Sequence, residues 1–196
     1  MSIAVFASGS GSNFERLVEV SRDQKWPVPI RLLVCDKPGA KVLERAERLG
    51  IPAVCVSPKT FADKAAYETF VLAELRKHGI EWIVLAGYMR LIGSTLLDAY
   101  PWRIVNIHPS LLPSFPGKDA IGQAFAYGVK VSGVSVHLVD AGMDTGPLLA
   151  QVPVLLEEDD DLESFTTKIH QAEHRLYPEV VYRWITGAIK TPDMKG

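Results

Sequence analysis

Four short, almost wholly apolar runs set the strongest limit on what this chain can fold into: Ile3 to Ala7, Ile30 to Cys35, Ala53 to Val56 and Trp82 to Ala86. A strand with no alternation between apolar and polar residues has both faces buried, which is the pattern of a parallel sheet. The first three runs are each followed by apolar residues at helical spacing: Phe14, Leu17 and Val18, then Val42 to Leu49, then Phe61 to Lys77 with Tyr67, Phe70, Val71 and Leu75 on one side. Strands alternating with helices place those helices on both faces of the sheet. After a fifth run, Ile104 to His108, comes a helical stretch, Ala120 to Tyr127, with Gly128 as its cap. Val131 to Val139 then alternates as a strand, and Leu148 to Leu156 pairs with it across a loop. The acidic run Glu157 to Asp161 reads as a solvated helix entrance, and Leu162 to Lys190 as one long helix or two. The expected fold is α/β and Rossmann-like: a mostly parallel sheet, helices on both faces, and an antiparallel strand pair near the C-terminal edge.

At 196 residues the chain reads as a single domain, 1–196. Its first hundred residues hold a phosphate- or nucleotide-binding half, and residues 101–196 the catalytic half. Charged residues are 22% of the total and leave a formal charge of −2, so no global field favours nucleic acid or a membrane surface. An anionic ligand must be held by a local cluster. Cys35 and Cys55, both in apolar runs, read as buried free thiols of a reducing compartment. With no charged-then-apolar leader, and with Ile3 to Ala7 far too short to span a bilayer, a soluble cytoplasmic protein is expected.

Chemistry concentrates between Ile104 and Asp144. Alternation along the strand Ile104 to His108 points Asn106 and His108 to one face, and Pro109 holds His108 extended. The crevice beyond the carboxyl ends of such strands is where ligands bind. Further on, Asp140-Ala141-Gly142-Met143-Asp144-Thr145-Gly146-Pro147 is a Gly-containing loop whose Asp144 can close on His108. An amide, an imidazole and a carboxylate suit acyl transfer: Asn106 can donate to a developing oxyanion, and Asp144 can orient His108 and stabilise its imidazolium. Ser110 lacks the G-x-S-x-G setting of a nucleophile, so direct transfer between two bound substrates is favoured over a covalent intermediate. The scattered histidines make a metal site the weaker reading.

Earlier in the chain, Ser8-Gly9-Ser10-Gly11-Ser12-Asn13 joins a strand to a helix and can cradle a phosphate on backbone N–H groups. Phe14 stands where a dinucleotide fingerprint wants a third glycine, so an ordinary strand-to-helix turn stays open as an alternative. Asp36 is either a holder of ribose hydroxyls or a solvated loop residue. Lys64, in a first helical turn, is either a ligand group or a solvated lysine. Gly87-Tyr88-Met89-Arg90 suits the wall of a pocket for a flat polar ligand. His137 reads as a hydrogen-bonded support, and Glu173 as either a buried or a surface carboxylate.

Four of these stretches carry a resemblance: Ser8 to Asn13, Leu85-Ala86-Gly87-Tyr88-Met89-Arg90, Asn106-Ile107-His108-Pro109-Ser110-Leu111-Leu112-Pro113, and Asp140 to Pro147. Together they are similar to the phosphoribosylglycinamide formyltransferase family, folate-dependent enzymes of purine synthesis. The similarity runs from the first strand to the last helix. It implies transfer of the formyl group of 10-formyltetrahydrofolate to the primary amine of 5-phosphoribosylglycinamide, with no metal and no ATP. It implies a catalytic trio of Asn106, His108 and Asp144. Substrate contacts would come from Gly11, Ser12 and Asn13 on the phosphate, and from His170, Gln171, Ala172 and Glu173 on the ribonucleotide. Folate contacts would come from Met89, Arg90, Leu91, Ile92, Asn106 and the loop Asp140, Ala141, Gly142, Met143 and Asp144. Lys64 stands where the family often has arginine, and Asp119 where many relatives have histidine.

The resemblance leaves three neighbours to separate. A tRNA formyltransferase would need a further nucleic-acid-binding domain, a formyltetrahydrofolate hydrolase an amino-terminal regulatory domain, and a sugar-amine formyltransferase a different acceptor site. From another class, a non-catalytic nucleotide-binding module would use Gly9 to Asn13 and Asp36. The expected partners are the two small molecules, with the chain acting as a monomer or homodimer.

Overall fold

A computed structural model describes residues 1–191. One seven-stranded sheet runs through it, formed by β1 (Ile3–Ala7), β2 (Ile30–Cys35), β3 (Ala53–Cys55), β4 (Trp82–Leu85), β5 (Ile104–His108), β6 (Val131–Leu138) and β7 (Leu148–Leu155). Their order across the sheet is β3-β2-β1-β4-β5-β6-β7. The first five pair in parallel, β5 and β6 are antiparallel, and β6 and β7 form the antiparallel pair at the edge. The expected mixed sheet is therefore present, with β6 reversed against β5 as well as against β7.

Six α-helices cover it: α1 (Ser12–Asp23), α2 (Lys41–Arg48), α3 (Lys64–Lys77), α4 (Ser94–Ala99), α5 (Ala120–Tyr127) and α6 (Leu162–Ile185). Alternation splits the strands' side chains between two cores. Ile3, Val5 and Ala7 pack with Phe14, Leu17, Val42, Phe165, Tyr177 and Trp184 of α1, α2 and α6. Ala4 and Phe6 pack on the other face with Tyr67, Val71, Leu75 and Leu96 of α3 and α4. Both faces are covered, as apolar runs without alternation require.

Four details differ from what the pattern predicts. Helix α3 starts at Lys64 rather than near Phe61, because the Asp63 carboxylate accepts the Ala66 N–H and caps the helix there. Phe70 is more than a third exposed, and packs on Phe61 rather than in the core. Helix α4 was not expected at all: its six residues bury only Leu96, too little to produce a visible period. Cys55 is exposed, not buried, since β3 is an edge strand, whereas Cys35, its partner in register on β2, is buried. Both thiols are free, and burial pushes the Cys35 thiol up to about 11.

Helix α6 is a single helix that runs through Pro178. Proline brings no N–H, so the His174 carbonyl one turn earlier loses its helical donor. Arg16 Nε donates to that carbonyl instead, at 3.4 Å. At its start, Asp161 and Ser164 form a reciprocal capping box. The chain order reverses between β1 and β4, and there the sheet leaves a crevice beyond its carboxyl ends.

Candidate active site

A cleft of about 570 Å³ opens at that reversal point. Its floor comes from β5, β6 and the loop before β7. Asn106 and His108 face it together, as their shared parity on β5 dictates, and His137 of β6 stands opposite Asn106 in register.

The three polar side chains and Asp144 are joined by a directed set of contacts. His137 Nδ1 lies 2.9 Å from the Leu138 carbonyl, which can only accept, so this nitrogen carries the proton. His137 Nε2 lies 3.2 Å from Asn106 Nδ2. His108 Nε2 lies 2.8 Å from the Phe115 carbonyl and donates to it by the same reasoning, leaving Nδ1 on the side of Asp144. Asp144 Oδ2 is 3.5 Å from His108 Nδ1, and Oδ1 is 3.6 Å from His137 Nε2. The Gly117 N–H donates to Asp144 Oδ2 at 2.8 Å and fixes the carboxylate. Burial pushes the Asp144 carboxyl up, but His137, the Gly117 N–H and His108 outweigh it, and the group lies below its usual range.

One end of the cleft is the turn from β1 into α1. Gly11 caps α1 in a left-handed conformation without any side-chain cap, so the first N–H groups of the helix are open to an anion. A Cβ at Gly11 would lie 2.4 Å from Val42 Cγ2, so only glycine lets the turn pass so close to α2. Against this turn stand His170 and Glu173 of α6, one helical turn apart, and both line the cleft. Glu173 is buried, and burial pushes its carboxyl up to about 7, against the hydrogen bond that it accepts from Asn13 Nδ2 at 3.3 Å. The Asn13 Oδ1 atom is buried and has no hydrogen-bond partner. Gln171 and Ala172, expected with them, do not line the cleft: Gln171 is exposed and Ala172 is packed in the core, as a period of 3.6 residues requires. His174 was not among the expected contacts, yet its Nε2 lies 3.2 Å from Ser12 Oγ.

The other end is the segment Tyr88 to Ile92, with Val139 and Met143 opposite. Met89, Leu91 and Met143 are exposed apolar side chains at this mouth. Asp140 and Ala141 fall outside the lining, whereas Gly142, Met143 and Asp144 belong to it. Asp140 instead shapes the loop, accepting from the Gly142 N–H at 3.0 Å and Thr145 Oγ1 at 2.6 Å. Lys64 is exposed and does not line the cleft; its Cε lies beside Gly93, just beyond the Met89–Ile92 segment. Asp119, the departure from the family pattern, is the N-cap of α5 and accepts the Gly122 N–H at 3.2 Å, with its backbone in the left-handed region. Asp36 is neither solvated nor placed to meet a ribose: both its oxygens are engaged within the protein, by Ser8 and Arg90. The Leu112–Pro113 peptide is cis. Among the described residues no group of three or more His, Cys, Asp or Glu side chains is arranged to hold a metal ion, and no helix is long and apolar enough to cross a membrane.

Comparison with known proteins bears on the family and the fold. The family model described as "Formyl transferase" matches residues 1–181. The phosphoribosylglycinamide formyltransferase of Bacillus subtilis is 56% identical over 178 residues, 91% of either chain. A solved phosphoribosylglycinamide formyltransferase from Bacillus halodurans superposes with a TM-score of 0.92 at 52% identity, covering 96% of this chain and 97% of the other. Glycinamide ribonucleotide transformylase 1 from Geobacillus kaustophilus gives 0.91 at 56% identity, over 93% and 97%. With the family model matching residues 1–181 and a relative 56% identical over nine-tenths of its length, the chain belongs to the formyl transferase family.

Proposed function

We propose that the chain transfers the formyl group of 10-formyltetrahydrofolate to the primary amine of 5-phosphoribosylglycinamide, giving formylglycinamide ribonucleotide and tetrahydrofolate in de novo purine biosynthesis. The relatives named for this activity support the substrate pair. The observation that carries the reading is the position of Asp144, 3.5 Å from His108, on the floor of a cleft with an anion-binding helix start at one end and an apolar wall at the other.

The cleft suits both molecules. Gly11, Ser12 and Asn13 would hold the phosphate on backbone N–H groups, and the unpartnered Asn13 Oδ1 would accept a substrate hydroxyl. Within the segment 170–173, His170 and Glu173 line the cleft and would be the side chains to reach the ribonucleotide. Met89, Arg90, Leu91 and Ile92 would line one side of the folate, with Gly142 and Met143 on the other. Lys64 would serve only the folate's outer carboxylates, from beyond the cleft.

The folate supplies a formyl group already activated on an aniline-like nitrogen, and the protein supplies position and charge. An Asn106 N–H donates to the formyl oxygen as the substrate amine adds to the carbon, and the charge of a protonated His108 close by stabilises the negative charge that develops there. Asp144 keeps the proton on His108 Nδ1. Through a water it also accepts the proton that the amine gives up and that the folate nitrogen finally takes. Holding both reactants in one cleft removes the entropy cost of their encounter. The pair of free thiols supports a reducing, cytoplasmic setting.

A steady-state assay with purified protein tests this reading. Folate deformylation that requires the ribonucleotide and yields its formylated product is expected. Deformylation without the amine would make the chain a hydrolase, and none under either condition would remove the reading.

A further inference from the structure

We propose that Asp36 is a positioning residue for the folate wall of the cleft, acting through Ser8 and Arg90; this rests on the folate reading of the Met89–Ile92 segment. Asp36 stands one residue past the end of β2 and does not itself line the cleft. Its carboxylate divides its two oxygens. Oδ1 accepts from Ser8 Oγ at 2.6 Å, and Oδ2 accepts from Arg90 Nε at 2.9 Å. Ser8 Oγ in turn accepts the Met89 N–H at 2.9 Å, and the Ser8 N–H donates to the Gly87 carbonyl at 3.1 Å. The ends of β1, β2 and β4 are thus tied at one carboxylate, and the wall segment is held at two consecutive residues, Met89 by its backbone and Arg90 by its side chain.

The division of exposure gives this clamp a direction. The Asp36 side chain is 9% exposed and the Arg90 side chain 41%. The anchored partner is therefore the carboxylate, and the guanidinium is the group presented outward. Because only Nε is taken, the terminal nitrogens of Arg90 stay available on a plane whose orientation is set from behind. A serine hydroxyl has one hydrogen; donating it to Asp36 turns its lone pairs toward the Met89 N–H. Removing the carboxylate frees the hydroxyl to rotate and the arginine to sweep, while His108, Asn106 and Asp144 are untouched.

The test uses Asp36→Ala, Asp36→Asn, Arg90→Ala and the double variant Asp36→Ala/Arg90→Ala in the full chain. Steady-state constants are measured for both substrates, and tetrahydrofolate is titrated by calorimetry. For Asp36→Ala, KM for formyl folate and Kd for tetrahydrofolate should each rise about tenfold, the scale of one charge-assisted hydrogen bond. The ribonucleotide KM and kcat should stay within about twofold. Asp36→Asn, which keeps one acceptor oxygen, should recover part of the loss. The double variant should lose less than the sum of the two single losses, since part of the effect of Asp36 passes through the arginine. Wild-type folate affinity in Asp36→Ala, or losses that simply add in the double variant, would overturn the proposal while leaving the transferase reading in place. A wild-type chain that neither binds tetrahydrofolate nor deformylates formyl folate would remove both.

Discussion

Asp144 sits between two imidazoles whose far nitrogens already donate to backbone carbonyls. Its charge is therefore the one variable in the group. Asp144→Asn keeps an oxygen for the Gly117 N–H, so the melting temperature should change little, while kcat falls about a hundred- to ten-thousandfold. Near-normal turnover in that variant would take Asp144 out of the proton path. Glu173 behaves in the opposite sense. Its folded pKa of about 7 lies above the ordinary 4.5, so the folded chain holds the proton more tightly than the unfolded one. The stability that this gives is complete below about pH 4.5 and is lost as pH rises through about 7. The span is on the order of 3 kcal/mol. Glu173→Gln removes it, so thermal melts at pH 5 and pH 8.5 should show the variant gaining on the wild type at the higher pH. A gap that does not change with pH would mean that the carboxyl ionises normally in the fold.

At the scale of elements, the site is where strand ends and a helix start meet, and the β1–α1 turn shows how narrow the tolerance is. Gly11→Ala places a methyl against Val42 and puts a side chain at φ +77°. A loss of about 1–3 kcal/mol in denaturant unfolding is expected, together with a larger rise in KM for the ribonucleotide than for the folate. Equal rises in both constants would separate this turn from the phosphate. The same scale sets what could be read from the chain beforehand. The apolar runs and the paired parity of Asn106 and His108 are local properties, so they were legible. The contact of Asn106 with His137 depends on β6 pairing in one register against β5, which no local pattern carries. Helix periodicity, applied strictly to residues 170–173, does separate His170 and Glu173 from Gln171 and Ala172. The resemblance named all four because it matched a segment rather than a face. Asp36 illustrates the remaining kind of miss: its two partners lie 28 and 54 positions away.

For the whole molecule, the decisive connection is between α6 and the centre of the sheet. Tyr177 is fully buried, and its hydroxyl donates to the Leu85 carbonyl at 2.6 Å, with the Val105 carbonyl at 3.3 Å. Tyr177→Phe leaves these strand ends without that donor, a loss of about 1–3 kcal/mol. In a domain of this size the melting temperature should fall by about 2–4 °C for each of them. An unchanged melting temperature would show that the helix is held by packing alone. Helix α6 also has a bearing on how the protein is made. It is the last of the described helices in chain order, yet it covers the same sheet face as Ile3, Val5 and Ala7 of the first strand and carries His170 and Glu173. A nascent chain that stops short of it presents Phe14, Leu17 and their neighbours to water and has half a cleft. Catalytic competence and concealment of the core thus arrive together, when this helix emerges.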